Sequence, residues 1–115
     1  MHELDMGEKG MATIRLDEEE WHRYFDNAAD ALRGLKATVE VVAADVGAQF
    51  VAENLGIVGI TYDPKGRLLE VALDGMDHMI RHPQEIYVEE TPQGIATFEA
   101  IDAEGRKHIV QIGRR

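Results

Sequence analysis

The sequence predicts an α+β fold, in which one N-terminal amphipathic helix packs on a strongly bent antiparallel sheet or partly open small barrel of about six or seven strands. Three observations predict it. An apolar stripe at helical spacing occupies the first third of the chain. The period then switches to β-branched, strand-like runs. Three tight turns with glycine in the fourth place punctuate those runs: Asp63-Pro64-Lys65-Gly66, Thr91-Pro92-Gln93-Gly94 and Asp102-Ala103-Glu104-Gly105.

Residues 1–12 lack periodicity and read as a disordered tail. Residues 13–115 read as a single α+β domain, a size that buries one core without staples. The helix signal opens at Leu16. Asp17 stands at an N-cap position with Glu20 three residues later, the capping-box spacing. Leu16 and Trp21 sit where a hydrophobic staple places them, and Glu18, Glu19 and Glu20 suit the positive end of the helix dipole. Trp21, Phe25, Ala28, Leu32 and Leu35 form one stripe, so the helix should run from about Glu18 to Arg33 and stop at Gly34. Its polar face is acidic, which assigns the stripe to core packing rather than to a membrane surface.

Thr38 to Val42 reads as a strand with Val39 and Val41 on one side. Asp45-Val46-Gly47 is a break, Gln49 to Ala52 a short strand, and Glu53-Asn54 a polar turn. Leu55 to Tyr62 is a further strand, in which Gly56 and Gly59 mark a bend, a bulge or a close backbone crossing. After the first proline turn, where Gly66 supplies a positive φ, Arg67 to Leu73 pairs back. Leu69, Val71 and Leu73 lie on its buried face and Glu70 on its wet one. Glu85–Glu89, Ile95–Ile101 and Arg106–Ile112 complete the meander.

Composition narrows the function. The chain has no cysteine, which excludes disulfides, thiolate metal sites and thiol catalysis. It also has no serine, so seryl hydrolysis is excluded too. A formal net charge of −10 repels polyanions and disfavours a nucleic-acid partner, despite the basic residues Arg106, Lys107, Arg114 and Arg115. No apolar run reaches the length of a membrane span, and an acidic N-terminus is unlike a secretory signal, so no membrane is expected and the cytoplasm is the default location.

Only residues 74–82 combine groups capable of chemistry: Asp74, Asp77, His78, Arg81 and His82. The segment reads as a surface loop entering a strand. His82 before Pro83 should be extended. In a strand His78, Ile80 and His82 share a face, with the histidines ~13 Å apart, too far for one metal. Arg81 between them opposes a cation. No metal, cofactor or catalytic residue is therefore assigned, and the five residues stand as a weak candidate interaction site.

The runs TVEVVAADVGAQFVAENLGIVGITYDP and HPQEIYVEETPQG, with the acidic helix opening and Trp21, resemble an uncharacterised bacterial family catalogued as domain of unknown function 5335. The resemblance spans nearly everything from Ile14 to Gln111 and implies a family and a fold without a reaction. A second resemblance covers topology alone. A helix, a bent strand with inner glycine, a strand pair, and Ile80-Arg81-His82 before Ile86-Tyr87-Val88 are similar to the Sm-like (and SH3-like) barrel pattern. His82 replaces that pattern's glycine, an extra residue intervenes, and no Asn follows Asp63, so RNA-contacting residues do not carry over. The function expected is a small non-enzymatic module that binds a protein partner or itself, as monomer or dimer. The alternatives are an Sm-like RNA-binding ring and a small metal-dependent enzyme using the Asp74–His82 segment.

Overall fold

The computed structural model describes residues 12–113. Its elements are β1 (Ala12–Arg15), a 3-10 turn (Glu18–Glu20), α1 (Trp21–Leu32), β2 (Lys36–Ala43), β3 (Gly47–Asp63), β4 (Leu68–Leu73), β5 (Met76–Arg81), β6 (Pro83–Thr91), β7 (Gly94–Asp102) and β8 (Lys107–Gly113). Of the tail expected over residues 1–12, residues 1–11 lie outside the described ones, and Ala12 opens β1.

The strands form one antiparallel sheet in the order β1-β6-β7-β8-β2-β3-β4-β5. The α+β class holds. The barrel does not: the described residues give eight strands, and the sheet curls but stays open, with β1 and β5 as its ends. The expected count fell short for two local reasons. Asp74-Gly75 makes a two-residue turn, with Gly75 at φ 86, that splits off β5. The edge strand β1 pairs with β6 far along the chain.

The expected turn at Glu53-Asn54 is absent, because β3 runs through it as one strand. A bulge at Val51, where Val39 faces Ala52 and Glu40 faces Phe50, and Asn54 at φ 56 absorb the bend. The N–H of Asn54 donates to Thr38 Oγ1 at 3.0 Å. A further register shift between Ile57 and Gly59 bends β3 again where β4 begins to pair. One strand thus serves β2 with its first half and β4 with its second.

The helix packs into the hollow of this curled sheet. Trp21, Phe25 and Leu32 are buried and Ala28 and Leu35 pack against the core, as the stripe predicts. Trp21 meets the Tyr62 ring edge-on at 5.2 Å and Phe25 meets Phe98 at 5.2 Å. The staple forms, and the Trp21 indole N–H donates to the Leu16 carbonyl at 3.3 Å. The capping box does not form. Asp17 makes no side-chain cap bond, the first turn is 3-10, and the Glu20 N–H donates to the Asp17 carbonyl. At the other end Gly34 adopts φ 89, the left-handed stop that glycine permits. In the first proline turn the positive φ falls on Arg67 rather than Gly66, where a Cβ would press on the Asp63 carboxylate.

Candidate functional site

β5 alternates its faces, and this separates the five candidate residues. Ile80 is buried and His78 half-buried beside it, while Asp77, Met79 and Arg81 point outward. The expectation of a loop with ordinary surface histidines fails for His78. The segment is a strand hydrogen-bonded to β4, with Val71 opposite His78. His82 also departs from the expected extended backbone. It takes φ 53, turning the chain between β5 and β6, and its N–H donates to the Arg67 carbonyl at 2.7 Å. The corner takes His82 out of the face shared by His78 and Ile80 and leaves it exposed.

The structure gathers a different set around His78. Its Nε2 lies 2.9 Å from His108 Nδ1, and His108 Nε2 lies 2.9 Å from Asp102 Oδ2. Asp102 Oδ2 also accepts from Arg106 Nε at 3.0 Å, and Oδ1 accepts the backbone N–H groups of Glu104 and Arg106. Asp102 and His108 are the buried polar residues of the core. Burial alone would raise the Asp102 pKa, but the bonds from His108 and Arg106 outweigh it and hold the carboxyl at about 2. His78 goes down to about 4, through burial first and His108 second. The carboxylate fixes a proton on His108 Nε2. One hydrogen bond joins His108 Nδ1 to His78 Nε2 on the other side of the ring.

Sequence reasoning missed this set, although one signal was available. The Asp102–Gly105 turn places Ala100 opposite His108, so Asp102 and His108 are diagonal neighbours on the inner face. The third member, His78, comes from β5, a strand separated from β8 by β2, β3 and β4 in the sheet order.

The order Arg106–Asp102–His108–His78 has the form of a relay, but with no serine or cysteine in the chain it ends on no such nucleophile. Among the described residues no group of three or more His, Cys, Asp or Glu side chains is arranged to hold a metal ion. A cleft of about 680 Å³ between the β2–β3 and β7–β8 turns is lined by Arg106 and Asp45 and does not reach either imidazole. The hydrogen bonds link β5 to β8 and to the β7–β8 turn inside the sheet. Of the remaining candidates, Asp77 shares a hydrogen bond with Glu70, and this like-charge contact raises the Glu70 pKa. Asp74 lies in the β4–β5 turn, lining a cleft with Arg33, Lys36 and Asn54.

The outward face of β3, β2, β8 and β7 carries a second feature. Cross-strand register sets Phe50 opposite Glu40, Glu40 opposite Ile109 and Ile109 opposite Glu99. The neighbouring row runs Ala48, Val42, Lys107 and Ile101. Apolar and charged side chains alternate along the first row and mix in the second, with Val42, Ile101 and Ile109 half-buried and Phe50 58% exposed. Val46 and Val51 extend the exposed apolar surface. Strand β3 begins to pair with β4 only at Ile57, so among the described residues its outer edge is unpaired over residues 47–55.

A profile of a family of unknown function (DUF5335) matches residues 12–115. An uncharacterised protein of Aquifex aeolicus (strain VF5) is 40% identical over 103 residues, covering 89% of this chain and 93% of that protein. No solved structure matches. No helix among the described residues is long and apolar enough to cross a membrane.

Proposed function

The chain belongs to the family of unknown function DUF5335, and from its geometry we propose that it is a small non-enzymatic cytoplasmic module whose work is to bind another protein. The observation that supports this is the exposed row around Phe50 beside an unpaired strand edge. Phe50, more than half exposed, stands in a face that also carries Val42, Ile101 and Ile109, and grouped apolar surface of this kind marks contact sites. The imidazole network supports the same reading from the other side, since its groups are spent on one another. The Sm-like ring, which needs polyanion affinity, gains nothing from an open sheet and a net charge of −10.

A photo-reactive phenylalanine analogue placed at position 50, and separately at position 77, tests this in cells of the source organism. The reading expects a discrete protein adduct from position 50 and none from position 77. Adducts from neither, together with a turnover that is lost in His78→Ala, would replace it with an enzyme.

A further inference from the structure

The unpaired edge of β3 differs from the other two edges of the sheet. β1 is four residues long, and β5 carries Asp77 and Arg81 facing outward. Short length and outward charge are the usual protections of an edge strand. The β3 edge over residues 47–53 reads Gly-Ala-Gln-Phe-Val-Ala-Glu, without lysine or proline. Its protections are the bulge at Val51 and the charge of Glu53. At ~3.3 Å per residue it offers roughly 20 Å of free backbone donors and acceptors.

The side chains beside that edge specify what would lie on it. Phe50, with Ala48 and Val42 on the same face, offers apolar contact. Glu40, opposite Phe50, and Glu53, farther along β3, form no ion pair among the described residues, whereas Glu99 is matched by Lys107 at 3.9 Å. A second copy of this chain would bring the same carboxylates against one another, on molecules that each carry −10. Resting on the interaction-module reading, we infer that residues 47–53 of β3 accept an extended partner segment, added to the sheet as a further strand, whose outward side chains, at every second residue, include both apolar and basic groups. Main-chain bonds to the edge would supply affinity, and the carboxylates would select the partner by charge.

The probe is a fluorescein-labelled peptide of repeating Val-Thr-Lys-Thr, which sets valine and lysine in turn on one face of a strand, titrated against the full chain at low and moderate salt and followed by anisotropy. Amide shifts of the 15N-labelled protein locate it. Expected are saturable binding that weakens with salt, and shifts with slowed amide exchange at residues 47–53. Phe50→Ser should weaken binding about tenfold, the scale of one apolar side chain. Glu40→Lys with Glu53→Lys should weaken it further. Circular dichroism of the variants separates lost binding from lost fold.

Three results would overturn the inference. The same peptide with a central proline, unable to complete a strand, binding equally well would reduce the effect to charge adhesion. A dimer by light scattering that Phe50→Ser dissociates would give the edge to a second copy. Failure of the peptide to shift residues 47–53 would remove strand addition. All three leave the photo-adduct at position 50, and with it the interaction reading, separately decidable.

Discussion

His78 Nε2 lies 2.9 Å from His108 Nδ1, a bond that joins β5 to β8 across the hollow of the curled sheet. Two strands that share no ladder are held by one imidazole contact, itself anchored on Asp102. The sheet stays open in its hydrogen-bond order, yet its free end at β5 is tied to the interior.

That tie makes stability depend on pH. The folded chain lowers the His78 pKa from 6.5 to about 4, so the unfolded chain takes up this proton first on acidification. The contribution is complete above ~pH 6.5, declines as pH falls towards 4, and changes no further below that. Allowing for the partial exposure of His78, the loss across the window is about 1–2 kcal/mol. Urea unfolding in steps across this range measures it. His78→Gln, whose amide does not titrate, should show a flatter profile than the parent chain.

Asp102 works in a lower window and with the opposite charge. Its pKa falls from 3.8 to about 2, so its contribution is present above the first value and is lost as pH drops through the second. Replacing it tests the anchor directly. Asp102→Ala would strip partners from two backbone N–H groups, the Arg106 guanidinium and the buried His108. Removing one partner of a buried charged network costs about 3–5 kcal/mol. Thermal unfolding at neutral pH should show a large drop in Tm.

The contrast between the helix and this network shows what was legible. Trp21, Phe25 and Leu32 are spaced along one local period, so their shared burial can be read without knowing the rest of the fold. His78 and His108 are thirty residues apart and meet through a curl that no local pattern encodes. Glu53-Asn54 misled for a related reason. Polar pairs signal turns, but here a bulge and a left-handed Asn54 keep the strand going. Of the five candidate side chains only His78 entered the network, because strand parity turned Asp77 and Arg81 outward and the corner at φ 53 took His82 away.

That corner gives a test of His82. A non-glycine residue in the left-handed region carries about 1–2 kcal/mol of strain, while glycine costs roughly 0.4–1 kcal/mol through the unfolded chain. His82→Gly should therefore leave stability unchanged or raise it by up to about 1.6 kcal/mol. Chemical denaturation decides it. A loss beyond that would mean that the exposed imidazole makes a contact that matters to the fold.

Gly59 argues the reverse way from its sequence context. Two glycines in one strand suggest a backbone that needs them, and a bulge does fall between Ile57 and Gly59. Yet a Cβ built at Gly59 meets nothing within 4 Å, and its φ lies outside the left-handed region. Gly105 is the opposite case, at φ 82 with the same open space around it. Alanine at Gly59 restricts the unfolded chain without straining the folded one and should stabilise by about 0.4–1 kcal/mol. Alanine at Gly105 should cost about 1 kcal/mol, because the β7–β8 turn must keep its left-handed residue to hold Asp102 over the two N–H groups that it accepts. Paired urea titrations of the two variants read both signs in one experiment. Equal losses at both positions would mean that the bend in β3 at Gly59 needs glycine for a reason other than space or φ.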